Sequence, residues 1–122
     1  MAEYILKSRT NNIYCESRAT TNEEIGNDIY PYAKACLDKH NIKYDIHHAR
    51  RMSVLDYNNF DEIYVMDSEN MRSISYIVED KDNKIKKLCN YDIEDPWYTG
   101  NFEKVFSQIS EGIDNILNDE NM

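Results

Sequence analysis

The apolar positions of this chain fall into short runs that switch between helical and strand spacing. The clearest lies towards the C-terminal end. Phe102, Val105-Phe106, Ile109, Ile113 and Ile116-Leu117 form one stripe at three- and four-residue intervals. That spacing predicts a helix over 101–117 with a single apolar face. Ile29, Tyr32-Ala33 and Cys36-Leu37 keep the same rhythm and predict a helix over 28–40. Asp28 stands where its N-cap would be, and Pro31 falls in the first turn, where a missing N–H costs little. A third helix is predicted over 68–78 with Ser68 as N-cap. Residues 1–7 read as a helical stub, since Ile5 and Leu6 occur there without a breaker.

Strand signals are shorter. Glu62-Ile63-Tyr64-Val65-Met66 is the strongest, and a nearly continuous apolar run suits a strand covered on both faces. Ile85 to Cys89 is a second strand, and Ile13-Tyr14-Cys15 a brief third. Residues 16–27 are polar and read as a loop. Residues 41–57 read as a short extended piece followed by the basic turn His47-His48-Ala49-Arg50-Arg51. Strands alternating with helices predict one α/β domain over 1–122, three layers deep, with a parallel sheet and helices on both faces. Such sheets bind ligands at the carboxyl ends of their strands. Asp67, directly after the strongest strand, and Asp95, in the loop after the last one, are placed there.

Composition removes several function classes. The net charge is -9, and the only basic run besides that turn is Lys84-Ile85-Lys86-Lys87, so nucleic acid is not an expected partner. No apolar stretch approaches ~18 residues, so no membrane-spanning helix is expected. Met1-Ala2-Glu3-Tyr4 lacks the pattern of a signal peptide. Cys15, Cys36 and Cys89 are odd in number, widely spaced, and form no Cys-x-x-Cys pair. They read as reduced, buried thiols of a cytoplasmic protein rather than a disulfide framework or zinc site. No metal and no cofactor is expected. Tyr4, Tyr14 and Tyr64 read as packing residues.

Candidate chemistry concentrates in Asp92-Ile93-Glu94-Asp95-Pro96-Trp97-Tyr98. An aspartate held near a substrate oxygen beside apolar walls can act as a general acid. Pro96 stiffens the loop, and Trp97 and Tyr98 offer flat faces for an aromatic substrate. On spacing alone, the run reads first as an aspartate-capped turn with two core aromatics.

Five further segments, in order along the chain, alter that reading. Ser17-Arg18-Ala19-Thr20 resembles an S-A-x-T motif, and Glu24-Ile25-Gly26-Asn27 an E-I-G-N loop. Cys36 to His40 with Asn41-Ile42 resembles C-x-x-x-H-G-I, with Asn41 in place of the glycine. His47-His48-Ala49-Arg50 resembles H-x-A-R. Phe60 to Asp67 followed by Asn70 resembles F-D-x-I-x-x-M-D-x-x-N, and Glu94 to Tyr98 resembles x-D-P-Y-Y. Together these resemble the low-molecular-weight protein tyrosine phosphatases, from residue 1 to about residue 118.

The resemblance implies a four-stranded parallel sheet and a Cys-x5-Arg loop between the first strand and first helix. In that family the thiolate attacks phosphorus, the arginine and backbone N–H groups hold the phosphate oxygens, and an aspartate protonates the leaving phenol. The substrate is a phosphotyrosine-type phosphate ester. Carried over residue by residue, Asp95 is the general acid. Trp97 and Tyr98 wall the substrate crevice, with Glu24 and Asn27 at its rim. Ser17, His47 and Asp67 brace the phosphate loop.

The chain departs from the family at the nucleophile. Six positions after Cys15, Cys36 and Cys89 stand Thr21, Ile42 and Asp95, so no Cys-x5-Arg occurs. Met1-Ala2-Glu3 matches the end of the family's C-R-S-P-x-A-E. The first, central strand and the phosphate loop are therefore expected to be absent and the sheet incomplete. Met1 reads as an internal methionine taken as a start, or as the start of a shortened gene. The expectation is a chain inactive alone. Its exposed strand edges would drive self-association, a swapped element, or rearrangement of residues 1–17. Two other readings stand beside it: a non-catalytic binding remnant, and an arsenate reductase of the same fold. The second is disfavoured because residues 67–92 carry only Cys89.

Overall fold

The helices arise where the apolar stripes and end signals agree. The structure, a computed structural model, describes residues 1–20 and 26–120, without the side chains of Trp97 and Glu120. Helix α1 spans Ala2–Arg9, with Glu3 in its first turn and Lys7 and Arg9 in its last, as the helix dipole favours. Helix α2 spans Pro31–Lys39 with the proline at its start. Helix α3 spans Val54–Asn59, strand β1 Ile63–Val65, helix α4 Ser68–Ser75 and strand β2 Ile85–Lys87. The short helix α5 (Pro96–Thr99) precedes the long α6 (Phe102–Glu120). None of these helices is long and apolar enough to cross a membrane.

Strands β1 and β2 pair in parallel, with Ile63, Tyr64 and Val65 opposite Ile85, Lys86 and Lys87. The pleat sends alternate side chains of β1 to two different cores. Tyr64 packs against the core of α1, α2 and α6, where Ile5, Leu37 and Ile113 are fully buried. Ile63 and Val65 face Met52, Tyr57, Ile74 and Val78 on the side of α3 and α4. Helices thus cover both faces, and the three-layer parallel α/β arrangement is as expected.

Several local expectations need correction. Tyr30, not Asp28, is the N-cap of α2. The Asp28 carboxylate instead accepts from the backbone N–H of Ile29 and His47 and from Lys34. Asp67, not Ser68, caps α4 by accepting from Asn70 N–H at 2.7 Å. Helix α3 lies inside the segment read as extended and turn. Its start is a capping box in which Ser53 and Asp56 bond each other's backbone N–H. Residues 13–15 form no strand. Tyr14 is 77% exposed and stacks on Phe60 at the surface, so it is not a core residue. Cys15 is half-buried, whereas Cys36 and Cys89 are buried as expected.

Among the described residues the named sheet has two strands. A second parallel contact lies apart from it, a bridge between Ala19 and Arg51. There Met52 N–H donates to Ala19 C=O at 2.8 Å and Ala19 N–H to Arg50 C=O at 2.7 Å. A cavity of about 990 Å³ is lined by residues 12–20 and Met52 on one side and by residues 59–66 on the other. Leu88, Ile113 and Ile116 also line it.

Helix α6 approaches the end of β2 at Gly112. A Cβ added there would sit 2.6 Å from Leu88 Cγ and 3.1 Å from Cys89 Sγ. Overpacking of this kind costs about 1–3 kcal/mol. Gly112→Ala is therefore expected to lower the unfolding free energy by about 1–3 kcal/mol, read as a lower urea midpoint with an unchanged m-value. A neutral effect would show that α6 does not sit this close to the strand.

Candidate active site

The acid loop is joined to the end of β1 by two backbone hydrogen bonds. Leu88 N–H donates to Val65 C=O at 2.8 Å, and Ile93 N–H donates to Met66 C=O at 3.0 Å. Ile93 is buried, so its side chain anchors the loop while its neighbours face outward. Asp92 accepts from the backbone N–H and hydroxyl of Ser68 at 3.1 and 2.9 Å and pairs with Lys87. Glu94 accepts from Thr99 and Lys104 at 3.2 Å each. Between these anchors Asp95 is exposed, and its C=O accepts from Tyr98 and Thr99 as α5 begins. The loop lies at the carboxyl end of β1, where ligands of parallel sheets bind.

A second polar group surrounds one part of the large cavity. Glu3 is only 8% exposed. Its carboxylate accepts from Ser17 N–H at 3.0 Å, Ser17 Oγ at 2.8 Å and Lys7 Nζ at 2.6 Å. Ser17 Oγ also lies 3.3 Å from His47 Nε2. This is not a nucleophile–base pair, because the serine hydroxyl proton is directed to Glu3 rather than to the imidazole. Asp67 reaches the cavity through Asn70, whose Oδ1 accepts from Met66 N–H at 3.3 Å.

Burial alone would raise the Glu3 pKa, but the hydrogen bonds from Lys7 and Ser17 outweigh it and hold the carboxyl below its usual range. Burial pushes the Cys15 thiol up, with the Glu3 charge adding to the effect. A thiol in that state is a poor nucleophile.

Residues 1–121 match the sequence profile of the family described as low molecular weight phosphotyrosine protein phosphatase. The chain belongs to this family. It is 36% identical over 101 residues to the low molecular weight protein-tyrosine-phosphatase YfkJ of Bacillus subtilis, a match covering 76% of this chain and 65% of that protein. The match thus spans slightly less than two thirds of YfkJ. The chain is 30% identical over 128 residues to PtpA of Staphylococcus aureus, covering 96% of this chain and 82% of that one. In three dimensions it resembles SP-PTP, a low molecular weight protein tyrosine phosphatase from Streptococcus pyogenes. The TM-score is 0.91 at 32% identity, covering 96% of this chain and 81% of that one. The crystal structure of YfkJ superposes with a TM-score of 0.87 at 31% identity, covering 97% and 83%.

Within this family fold the residues singled out from sequence form two groups. Asp95 and the exposed Tyr98 lie in the acid loop, where the side chain of Trp97 is outside the described residues. Ser17 lines the cavity, with His47 bonded to it and Asp67 linked to it through Asn70. Asn27 is exposed, and its C=O accepts from Ala49 N–H at 2.9 Å. Glu24 lies outside the described residues. Sequence reasoning missed Glu3, which joins α1 to Ser17. The spacing of Glu3 and Lys7, one turn apart, was the available signal.

Glu3 holds its proton less tightly in the fold than unfolded. Its contribution to stability is therefore complete above the ordinary glutamate value, about 4.3, and disappears as pH falls through the lower folded value. Glu3→Gln is expected to cost about 1–3 kcal/mol at neutral pH. It should also flatten the fall in stability below pH about 4.3. Parallel stability–pH curves for the two proteins would contradict this.

Proposed function

We propose that these 122 residues carry the proton-donor side of a phosphotyrosine phosphatase site and do not hydrolyse phosphate esters alone. The observation that carries the reading is the acid loop, anchored by Ile93 and Asp92 with Asp95 exposed at the carboxyl end of β1. A carboxylic acid so placed can protonate a phenolate leaving group. Trp97 and Tyr98 stack on the aromatic ring of the substrate, and Glu24 and Asn27 form the rim. Ser17, His47 and Asp67 brace a phosphate-binding loop.

The sequence contains no Cys-x5-Arg, so nothing in it plays nucleophile and phosphate cradle. Losing a nucleophile costs on the order of 10⁶ in turnover. In this reading the family's first, central strand would lie between the Ala19–Arg51 pair and β1. The 990 Å³ cavity between those elements supports a sheet incomplete at that point. Apolar residues along a sheet edge favour association, and Ile63 and Tyr64 of β1 line this cavity. The chain accordingly associates with a second copy.

Purified chain is expected to show no p-nitrophenyl phosphate hydrolysis above that of its Asp95→Asn variant. A rate that scales with the wild-type chain and falls in the variant overturns the reading. Sedimentation is expected to report a dimer or larger assembly, and a compact monomer at all concentrations contradicts the association.

A further inference from the structure

Away from the acid loop, helices α2 and α6 meet through three groups of different donor chemistry. Cys36 lies on α2, His40 follows one turn later at its C-cap, and Glu103 lies in the first turn of α6. Cys36 Sγ is 3.7 Å from Glu103 Oε1, and His40 Nε2 is 2.7 Å from Glu103 Oε2. One ligand atom from each of the three lies within 4.8 Å of the other two. The His40 ring stacks on Phe106 with centroids 3.8 Å apart and planes 8° from parallel, which fixes its orientation. Lys39 Nζ approaches Glu103 Oε1 at 3.5 Å from the solvent side.

We propose that Cys36, His40 and Glu103 form a site for a zinc-class divalent cation that clamps α2 to the first turn of α6. Zinc takes sulfur at about 2.3 Å, nitrogen at about 2.0–2.1 Å and carboxylate oxygen at about 2.0–2.2 Å. In a tetrahedron those bonds put neighbouring donors roughly 3.3–3.8 Å apart. The Cys36–Glu103 separation already meets this. The His40–Glu103 pair must open by roughly 1 Å as its hydrogen bond is exchanged for two metal bonds. A thiolate, imidazole and carboxylate together favour zinc over magnesium or calcium, which prefer all-oxygen sites. The buried sulfur lies beneath, while the exposed His40 and Glu103 give an entry path and leave the fourth position to water.

Without an ion the groups satisfy one another. The Cys36 thiol lies within donating reach of Glu103 and, at 3.7 Å, of Phe102 C=O. Burial, with the charge of Glu103, keeps that thiol protonated. Binding replaces the S–H bond by the metal–sulfur bond, and the thiol proton leaves to solvent. Only Gly100 and Asn101 separate α5 from α6, so the clamp would fix the downstream end of the Asp95 loop. This inference does not depend on whether the chain turns over phosphate esters.

The test is titration of the reduced 122-residue chain with cobalt(II), followed by displacement with zinc. The expected result is saturable one-to-one binding. It should show a near-ultraviolet sulfur-to-cobalt charge-transfer band and intense visible bands of tetrahedral cobalt. Cys36→Ser should abolish the near-ultraviolet band, and His40→Gln should weaken binding at least about tenfold. Cys89→Ser should leave both unchanged. Circular dichroism of each metal-free variant establishes that it is folded, and His40→Gln, at an exposed residue, keeps the test valid if Cys36→Ser unfolds. No saturable binding, or a loss below about tenfold in His40→Gln, overturns the proposal and leaves the three residues a hydrogen-bonded latch only.

Discussion

The acid loop depends on two backbone hydrogen bonds that join it to the end of β1. Leu88 N–H to Val65 C=O continues the parallel register by one step, and Ile93 N–H to Met66 C=O closes the loop that follows it. Each bond ties the chain after β2 to the chain leaving β1. The same stretch of β1 leads directly into Asp67, whose carboxylate caps α4. Asp92 then closes the circuit by accepting from Ser68. Backbone bonds and the buried Ile93 side chain hold the loop in which Asp95 stands.

The rest of the architecture follows from the alternation along β1. Tyr64 commits one face to α1, α2 and α6, and Ile63 and Val65 commit the other to α3 and α4. Close approach of α6 at Gly112 tightens the first core. The cavity lies between β1 and the Ala19–Arg51 pair, with the Glu3–Ser17–His47 group at its wall. A buried carboxylate is tolerated there because Lys7 and two Ser17 donors satisfy it.

Features with local signals were legible in the sequence, and those with distant partners were not. The apolar stripe from Phe102 to Leu117 declared α6, since a long amphipathic helix repeats its signal several times. Helix α3 has only six residues, and its signal was the Ser53–Asp56 cap rather than a stripe. Asp28 looked like an N-cap, but His47, 19 residues on, takes its carboxylate. Asp95 stood out through family likeness, because one aspartate before a proline carries little periodic information. Glu3 with Ser17, and Cys36 and His40 with Glu103, are joined only by the tertiary fold, the latter across 63 residues or more.

The proposed site has Asp95 as proton donor and no oxyanion cradle. Calorimetric titration with orthovanadate, a phosphate analogue, tests it most directly. No saturable binding is expected even at millimolar vanadate, because the sequence has no Cys-x5-Arg motif to hold the oxygens. One-to-one binding in the micromolar range would contradict it.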